Sequence, residues 1–398
     1  MTDGWFLLDP AAVIFLAMNL VIGACSLLVS SRYLAGARRR WYYGGLIAFW
    51  AALLLIPVVS NLGVAWLLIE GTTAASAALV AYSGHQRALE AGWKYLVLTT
   101  AGLTVALLGV LYLDAGLTGT GYQVASPLSL LDWSSLHAAA GLIPNDSLGV
   151  ATVLILVGLA GKVGWAPVHQ WLPDAHSEAP APVSALLSAS LLPTVMLVAW
   201  RFEQAVATAQ SQRLFLIFGL ASLVVAVPFL LRPLPMKRLL AYSSLEHMGL
   251  LAVGIGFGSP LALLGVAVHV VGHAAAKALG FYSTIPLYHA QATAARRPAS
   301  GLAHLDRKAA WCLGISLAAL SGLPPSPLFI SELLILAGGV AAHQYFGVGL
   351  TAILLALGFV GLAHQSIEAL LGRPRKLIAP RPHPTKSIDF TGQSGSAA

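Results

Sequence analysis

Eleven long apolar runs limit what this chain can fold into. Taken at about 18 residues or more, they fall at 11–31, 41–60, 61–82, 93–114, 148–175, 181–201, 214–232, 239–258, 261–287, 309–342 and 346–371. At about 1.5 Å per helical residue, runs of this length cross or nearly cross a hydrocarbon layer of roughly 30 Å. A helix satisfies its own backbone polar groups there, where water cannot. Composition agrees: 58% of the 398 residues are hydrophobic and 9% charged, against about a quarter charged in an ordinary soluble chain. The sequence therefore predicts an all-α polytopic membrane protein. Asp3 and Asp9 precede the first run with no basic residue beside them, so the N-terminus does not read as a cleavable signal peptide.

The fifth run contains Gly161-Lys162-Val163-Gly164-Trp165-Ala166-Pro167-Val168-His169-Gln170-Trp171-Leu172-Pro173-Asp174. Lys162 falls near mid-depth, and Pro167 has no N–H to give a helix. Broken backbone at that depth is tolerated only inside protein or against a water-filled cavity. A charge there costs about 2.5–3.5 kcal/mol on insertion scales and marks a functional site by default. The tenth run is interrupted likewise, by Ser321-Gly322-Leu323-Pro324-Pro325-Ser326-Pro327. After a leading helix and basic loop at 1–40, the spans group as 41–201 and 214–371. Each group has five helices with the fourth one broken. An odd number per group makes the two copies inverted, and paired interruptions at corresponding positions point to a transport site. The Pro-, Gly- and Ser-rich segment 372–398 is expected to be a disordered cytoplasmic tail.

Charge placement sets the orientation. Arg32, Arg38, Arg39, Arg40, Arg87, Lys94, Arg232, Lys237, Arg238, Arg296, Arg297, Arg307 and Lys308 fall on one side, joined by five basic residues of the tail. Arg201 and Arg213 fall on the other, and the 115–147 connection has no lysine or arginine. The positive-inside rule then places the N-terminus outside and the C-terminus in the cytoplasm, across a bacterial inner membrane. The net charge of +7 is thereby explained without a nucleic-acid partner. Cys25 and Cys312 both lie in apolar runs. Two thiols do not supply four-cysteine ligation of an iron–sulfur cluster, and no zinc spacing is present. No redox cofactor is expected on this chain.

Few ionisable groups lie within the spans. Glu70 sits among small residues in the third. Lys162 and His169 belong to the first break, Glu332 follows the second, and Glu246 and His247 are adjacent in the eighth. His269, His273 and Lys277 are spaced by four and share a helical stripe. A carboxylate and an ammonium about 4 Å apart interact by about 4 kcal/mol at an effective dielectric near 20. Pairing and separating Glu70 and Lys162 can therefore switch a buried lysine, with histidines as relays. Each histidine alone is also readable as a satisfied core residue, and Glu70 and Glu332 as structural ion-pair members. His269 and His273 have the i, i+4 spacing of metal ligands, but no glutamate completes the usual zinc pattern and no third ligand stands nearby.

The stretch Lys162 to Pro182, with Trp171-Leu-Pro-Asp-Ala-His176-Ser-Glu-Ala-Pro180, resembles the antiporter-like membrane subunits shared by complex I, Mrp-type antiporters and membrane-bound hydrogenases. Met236 to Gly249 is most similar to the component F type of hydrogenase 4. The resemblance implies that Glu70 is the family's essential glutamate and Lys162 its partner on the broken helix. It implies that Lys277 is the central lysine, His269 and His273 central relays, and Glu332 the exit-side acid. Pro193 stands where complex I members often carry a bridging lysine. The resemblance further implies that these helices correspond to the third through the thirteenth of that family, with no lateral arm expected among them. The expected function is a proton-translocating subunit of a respiratory or hydrogenase-type oxidoreductase complex, with further membrane and peripheral subunits as partners. The alternatives are a cation/proton antiporter, the membrane subunit of a bicarbonate-uptake system, and a scaffold with an inactive path.

Overall fold

A computed structural model describes residues 5–33, 39–124, 126–290, 300–304 and 306–372. The expected tail beyond Gly372, with Arg38, Arg296 and Arg297, lies outside the described residues. The helices are α1 (Pro10–Tyr33), α2 (Arg39–Leu55), α3 (Leu62–Val80), α4 (Gln86–Gly119), α5 (Trp133–Ala139), α6 (Asn145–Val163), α7 (Trp171–Glu178) and α8 (Ala181–Leu186). They continue with α9 (Leu192–Val206), α10 (Ala209–Leu230), α11 (Met236–Phe257), α12 (Pro260–Ala290), α13 (Arg307–Leu320), α14 (Pro327–Ala341) and α15 (Tyr345–Leu371).

Among the described residues, ten helices are long and apolar enough to cross a membrane. One of the ten, Ala181–Val206, joins α8 to α9 through a single wide turn at Leu187–Leu191. That π turn precedes Pro193, which has no N–H for the carbonyl four residues back, and the helix accommodates the gap by widening. The expected crossing at 309–342 is delivered in two pieces, α13 and α14, of 14 and 15 residues. These ten and the divided crossing account for the eleven apolar runs, of which the fifth is also interrupted, α6 ending at Val163 and α7 starting at Trp171.

The outer surface is apolar, and polar and charged side chains are enclosed within an otherwise apolar core. Leu67, Trp93, Leu108, Ile217, Leu264 and Ile353 are exposed, which suits a surface facing lipid. Lys162, His176, His269, His273 and Lys277 are all 0% exposed. Helix α11 is buried from Leu239 through Phe257 and packs against α7, α10, α12, α14 and α15. In the first group of helices α4 packs against both α6 and α7; in the second, α12 packs against both α13 and α14. In both places the long helix that precedes the break supports the two pieces flanking it. Close approach needs glycine: a Cβ at Gly158 of α6 would lie 2.6 Å from the Ala106 Cβ and the Gly102 carbonyl of α4. Helix α1 ties the groups together. Asn19 Nδ2 donates to the Leu53 carbonyl (2.7 Å) and Thr194 Oγ1 (3.0 Å), and Ser26 Oγ to the Pro182 carbonyl (3.1 Å). From the second group, the Tyr282 hydroxyl donates to the Ile22 carbonyl (3.1 Å).

Candidate functional site

The first break begins where Gly164, at φ +81°, ends α6. Lys162 consequently occupies the last turn of a half-helix, where the chain's periodicity alone placed it within a helix. Its ammonium lies at the negative end of the α6 dipole. The half-helix leaves orphan carbonyls in a place without bulk water. Trp171 Nε1 donates to the Gly161 carbonyl (2.7 Å), and the Gly164 and Trp165 N–H groups both donate to Ala160 (2.9 and 3.0 Å). The far side of the break is satisfied by the second group of helices. The Ala166 N–H donates to Ser222 Oγ of α10 (2.9 Å), and the Trp165 indole N–H to the Met248 carbonyl of α11 (2.8 Å).

Lys162 Nζ donates to the Tyr95 hydroxyl (2.5 Å) and to Thr73 Oγ1 (2.7 Å). Donor counting gives this seat a direction. Ser76 donates its proton to the Thr72 carbonyl (2.5 Å), so the Tyr95 hydroxyl donates to Ser76 Oγ (2.8 Å) while accepting from Lys162. Glu70 is partly buried on α3; it accepts from Thr100 Oγ1 (2.9 Å), and its second carboxylate oxygen is buried without a partner. Among the described residues no ion pair within 4.0 Å joins Glu70 to Lys162. In this conformation the lysine is held by neutral hydroxyls.

The second break is built around two carboxylates. Gly322, at φ +69°, follows α13, and Ser326 Oγ accepts the Phe329 N–H (3.2 Å) to cap α14. Glu332 lays its carboxylate on Gly322, where a Cβ would come within 2.5 Å of Oε2. Glu246 of α11 lays its carboxylate on Gly358 of α15, leaving no room for a Cβ, and its Oε2 has no hydrogen-bond partner. Glu246, Glu332, His247 and Ser321 line one cavity of about 350 Å³, whose apolar wall includes the exposed residues Leu333 and Phe359.

Between the breaks lies the stripe on α12. Lys277 Nζ donates to the Leu240 carbonyl (2.7 Å), which also accepts from Ser244 Oγ (2.9 Å). Ser188, in the wide turn before Pro193, reaches Ser244 Oγ at 2.7 Å. A chain of hydroxyls thus runs from the wide turn before Pro193 to the carbonyl that holds Lys277. His247, His269 and His273 converge, with one ring nitrogen from each lying within 4.8 Å of the others. Ser331 Oγ donates to the Leu328 carbonyl (2.7 Å), so it accepts from His269 Nδ1–H (2.8 Å). His269 Nε2 is then a lone pair, and His247 Nδ1–H donates to it (3.0 Å).

The geometry also promotes His176, which the sequence offers within the Trp171–Pro180 motif and equally as a satisfied core histidine. His176 is fully buried, donates from Nδ1 to the Leu172 carbonyl (2.8 Å) and leaves Nε2 without a partner. Its ring lies between Trp171 (6.2 Å) and Phe281 (5.9 Å). Trp171 abuts Tyr95 (4.7 Å), which holds Lys162, and Phe281 is one turn from Lys277. His176 therefore stands between the two lysines. His169 lies in the connection between α6 and α7, partly exposed and without a hydrogen bond to the Lys162 seat. Tyr95 and Thr73 carry no sequence signal of their own, being lone hydroxyls within apolar helices. The Thr72, Thr73 and Ser76 spacing on α3 is the one hint of a polar face.

Residues 59–358 match the family model described as "NADH:quinone oxidoreductase/Mrp antiporter, TM". A hydrogenase-4 component F homologue of Methylacidiphilum infernorum is 30% identical over 387 residues, covering 93% of this chain and 80% of that protein. A probable K(+)/H(+) antiporter component of Rhizobium meliloti is 30% identical over 342 residues, which is 84% of this chain but 33% of the relative. Among solved structures, an archaeal membrane-bound sulfane sulfur reductase contains a chain that superposes with TM-score 0.80 at 21% identity, covering 93% of this chain and 75% of its own length. The structural likeness establishes a shared fold, and the sequence matches establish kinship. This chain belongs to the NADH:quinone oxidoreductase/Mrp antiporter membrane family.

Proposed function

We propose that the chain is the proton-translocating, antiporter-like membrane subunit of a respiratory or hydrogenase-type oxidoreductase complex. One observation carries this reading. Each broken helix contributes a titratable group, Lys162 or Glu332, and the protein between them is occupied by Lys277, His176 and three clustered histidines where apolar packing would be the stable default. Groups of this kind inside a membrane are expensive and persist for function.

In this reading Glu70 and Lys162 form the switch. Bringing the separated pair to about 4 Å would add about 4 kcal/mol of attraction at an effective dielectric near 20, enough to change the lysine's hold on a proton. His176 passes the proton towards Lys277, His273, His269 and His247 redistribute it, and Glu246 and Glu332 receive it. The tautomer chain from His247 through His269 to Ser331 supports a relay, because each ring can accept on one nitrogen and release from the other. We take 41–201 and 214–371 as the inverted units, with 1–40 as a leading helix. The basic ends Arg87, Lys94, Arg232, Lys237 and Arg238 support a cytoplasmic C-terminus in a bacterial inner membrane. Redox chemistry resides in partner subunits.

A second reading, a cation/proton antiporter, draws on the likeness to the Rhizobium protein and on the two carboxylates sharing one cavity. Proton flux into liposomes carrying the purified protein tests both. Lys162→Ala is expected to abolish flux with assembly intact, and unchanged flux would overturn both readings. Copurification of a redox arm favours the first; potassium- or sodium-dependent flux without one favours the second.

A further inference from the structure

We propose that His247, His269 and His273 form a binding site for a zinc-class divalent cation, entered through the cavity that Glu246 and Glu332 line. The spacing of His269 and His273 on α12 offers two ligands; the fold supplies the third from α11, 22 residues away in sequence. All three rings are essentially removed from solvent, at 2%, 0% and 0% exposure. Neither ring nitrogen of His273 makes a well-formed hydrogen bond, although the Ser188 carbonyl lies beside the ring. A buried imidazole without a well-formed hydrogen bond is a costly arrangement, and here one of its ring nitrogens faces two others of the same kind.

The donor set suits the metal. Three neutral imidazoles with one open position are a recurrent zinc arrangement, and Zn–N bonds of about 2.0–2.1 Å set the nitrogens about 3.3 Å apart. His247 Nδ1 and His269 Nε2 already lie at 3.0 Å. His273 has to close by about 1.5 Å at most to meet the same spacing, from the 4.8 Å limit observed. His269 is oriented as a metal ligand would be: its Nδ1–H is held by Ser331, which leaves Nε2 free to ligate. His247 has to move its proton from Nδ1 to Nε2, so binding is linked to a tautomer change. Lys277, one turn beyond His273, opposes a dication. Glu246 and Glu332 offset it, and they occupy the cavity that reaches His247. A bound cation would occupy the lone pairs that a proton relay needs and would therefore inhibit transport.

The test uses the full chain in detergent, stripped with chelator and titrated with Zn²⁺, with Co²⁺ as a spectroscopic probe. Wild type is expected to hold one tightly bound Zn²⁺ and to give the intense visible absorption of four-coordinate Co²⁺–imidazole. His273→Asn should remove that band. Ser331→Ala should retain it with about 10- to 100-fold weaker affinity, the usual effect of losing a ligand's orienting partner. His85→Gln and His343→Gln, at surface positions, should change neither. Absence of the band in wild type, or its survival in His273→Asn, overturns the proposal. Because binding is read without flux, a transport-competent protein that fails this test loses only the metal site, and a metal-binding protein that fails to transport loses only the relay.

Discussion

Replacing Tyr95 by Phe isolates the seat of Lys162. The aromatic ring stays, and with it the packing of Tyr95 on Trp171 at 4.7 Å between ring centroids. Only the hydroxyl goes, and it is one of two acceptors for an ammonium with no exposure. A hydrogen bond to a charged group contributes about 1.5–3 kcal/mol, and each factor of ten corresponds to about 1.4 kcal/mol. If seating the lysine beside Tyr95 is a step of turnover, proton flux should fall about 10- to 100-fold. Thr73→Val removes the second acceptor at 2.7 Å, and the double variant should show coupling, since both residues serve one nitrogen. The assay is acidification of liposomes under an imposed gradient, at matched protein content and with the extraction profile unchanged. Flux within twofold of wild type in Tyr95→Phe would refute the reasoning, because the shorter of the lysine's two hydrogen bonds would then be irrelevant to transport.

Glu332→Gln should slow flux while leaving the protein folded; loss of the folded protein would instead show that the carboxylate on Gly322 is structural. His176→Phe preserves the packing between Trp171 and Phe281 and should reduce flux at least tenfold if protons cross between the halves there, as measured in the same liposomes. Gly158→Val should lower the thermal midpoint in detergent, since Ala106 and Gly102 leave no space for a side chain, whereas Gly141→Ala, with nothing within 4 Å, should not. The buried Arg201 donates to the Pro57 carbonyl (2.6 Å) and Asp9 (2.8 Å); Arg201→Met should destabilise by about 1–3 kcal/mol, as expected for leaving a carbonyl unmatched, again read as a lowered midpoint.

The membrane-spanning architecture was legible because hydrophobic length is a local property, and each of the eleven runs can be recognised without knowing its neighbours. The two breaks were legible for the same reason: Pro167 and the Pro324-Pro325 pair contradict the helices that contain them. Depth within the membrane was less informative than helix boundaries. Lys162 reads as mid-span, yet Gly164 turns its position into a helix terminus. The histidine cluster shows the limit more sharply. His269 and His273 announce a shared face through their spacing, but His247 reaches them only because α11 runs through the middle of the protein, a tertiary fact. Tyr95 and Thr73 were invisible as site residues, and His176 was visible only as part of a motif, since a hydroxyl or imidazole in an apolar run gains its meaning from what another helix brings opposite. Glu70 and Lys162 are expected to pair and to separate, and here no ion pair within 4.0 Å joins them, each being held by hydroxyls of α3 or α4.

The Trp165 indole N–H and the Ala166 backbone N–H find their acceptors on α11 and α10 respectively, helices that leave the ribosome only after the first group is complete. During synthesis those donors have no partner in lipid, so the first group must hold its break in a provisional, hydrated form until the second arrives. A chain severed between α9 and α10 should therefore yield two fragments that are unstable when made separately and recover together when co-expressed. The last step of biogenesis would then be the closing of that break, and the two halves would mature as a single unit.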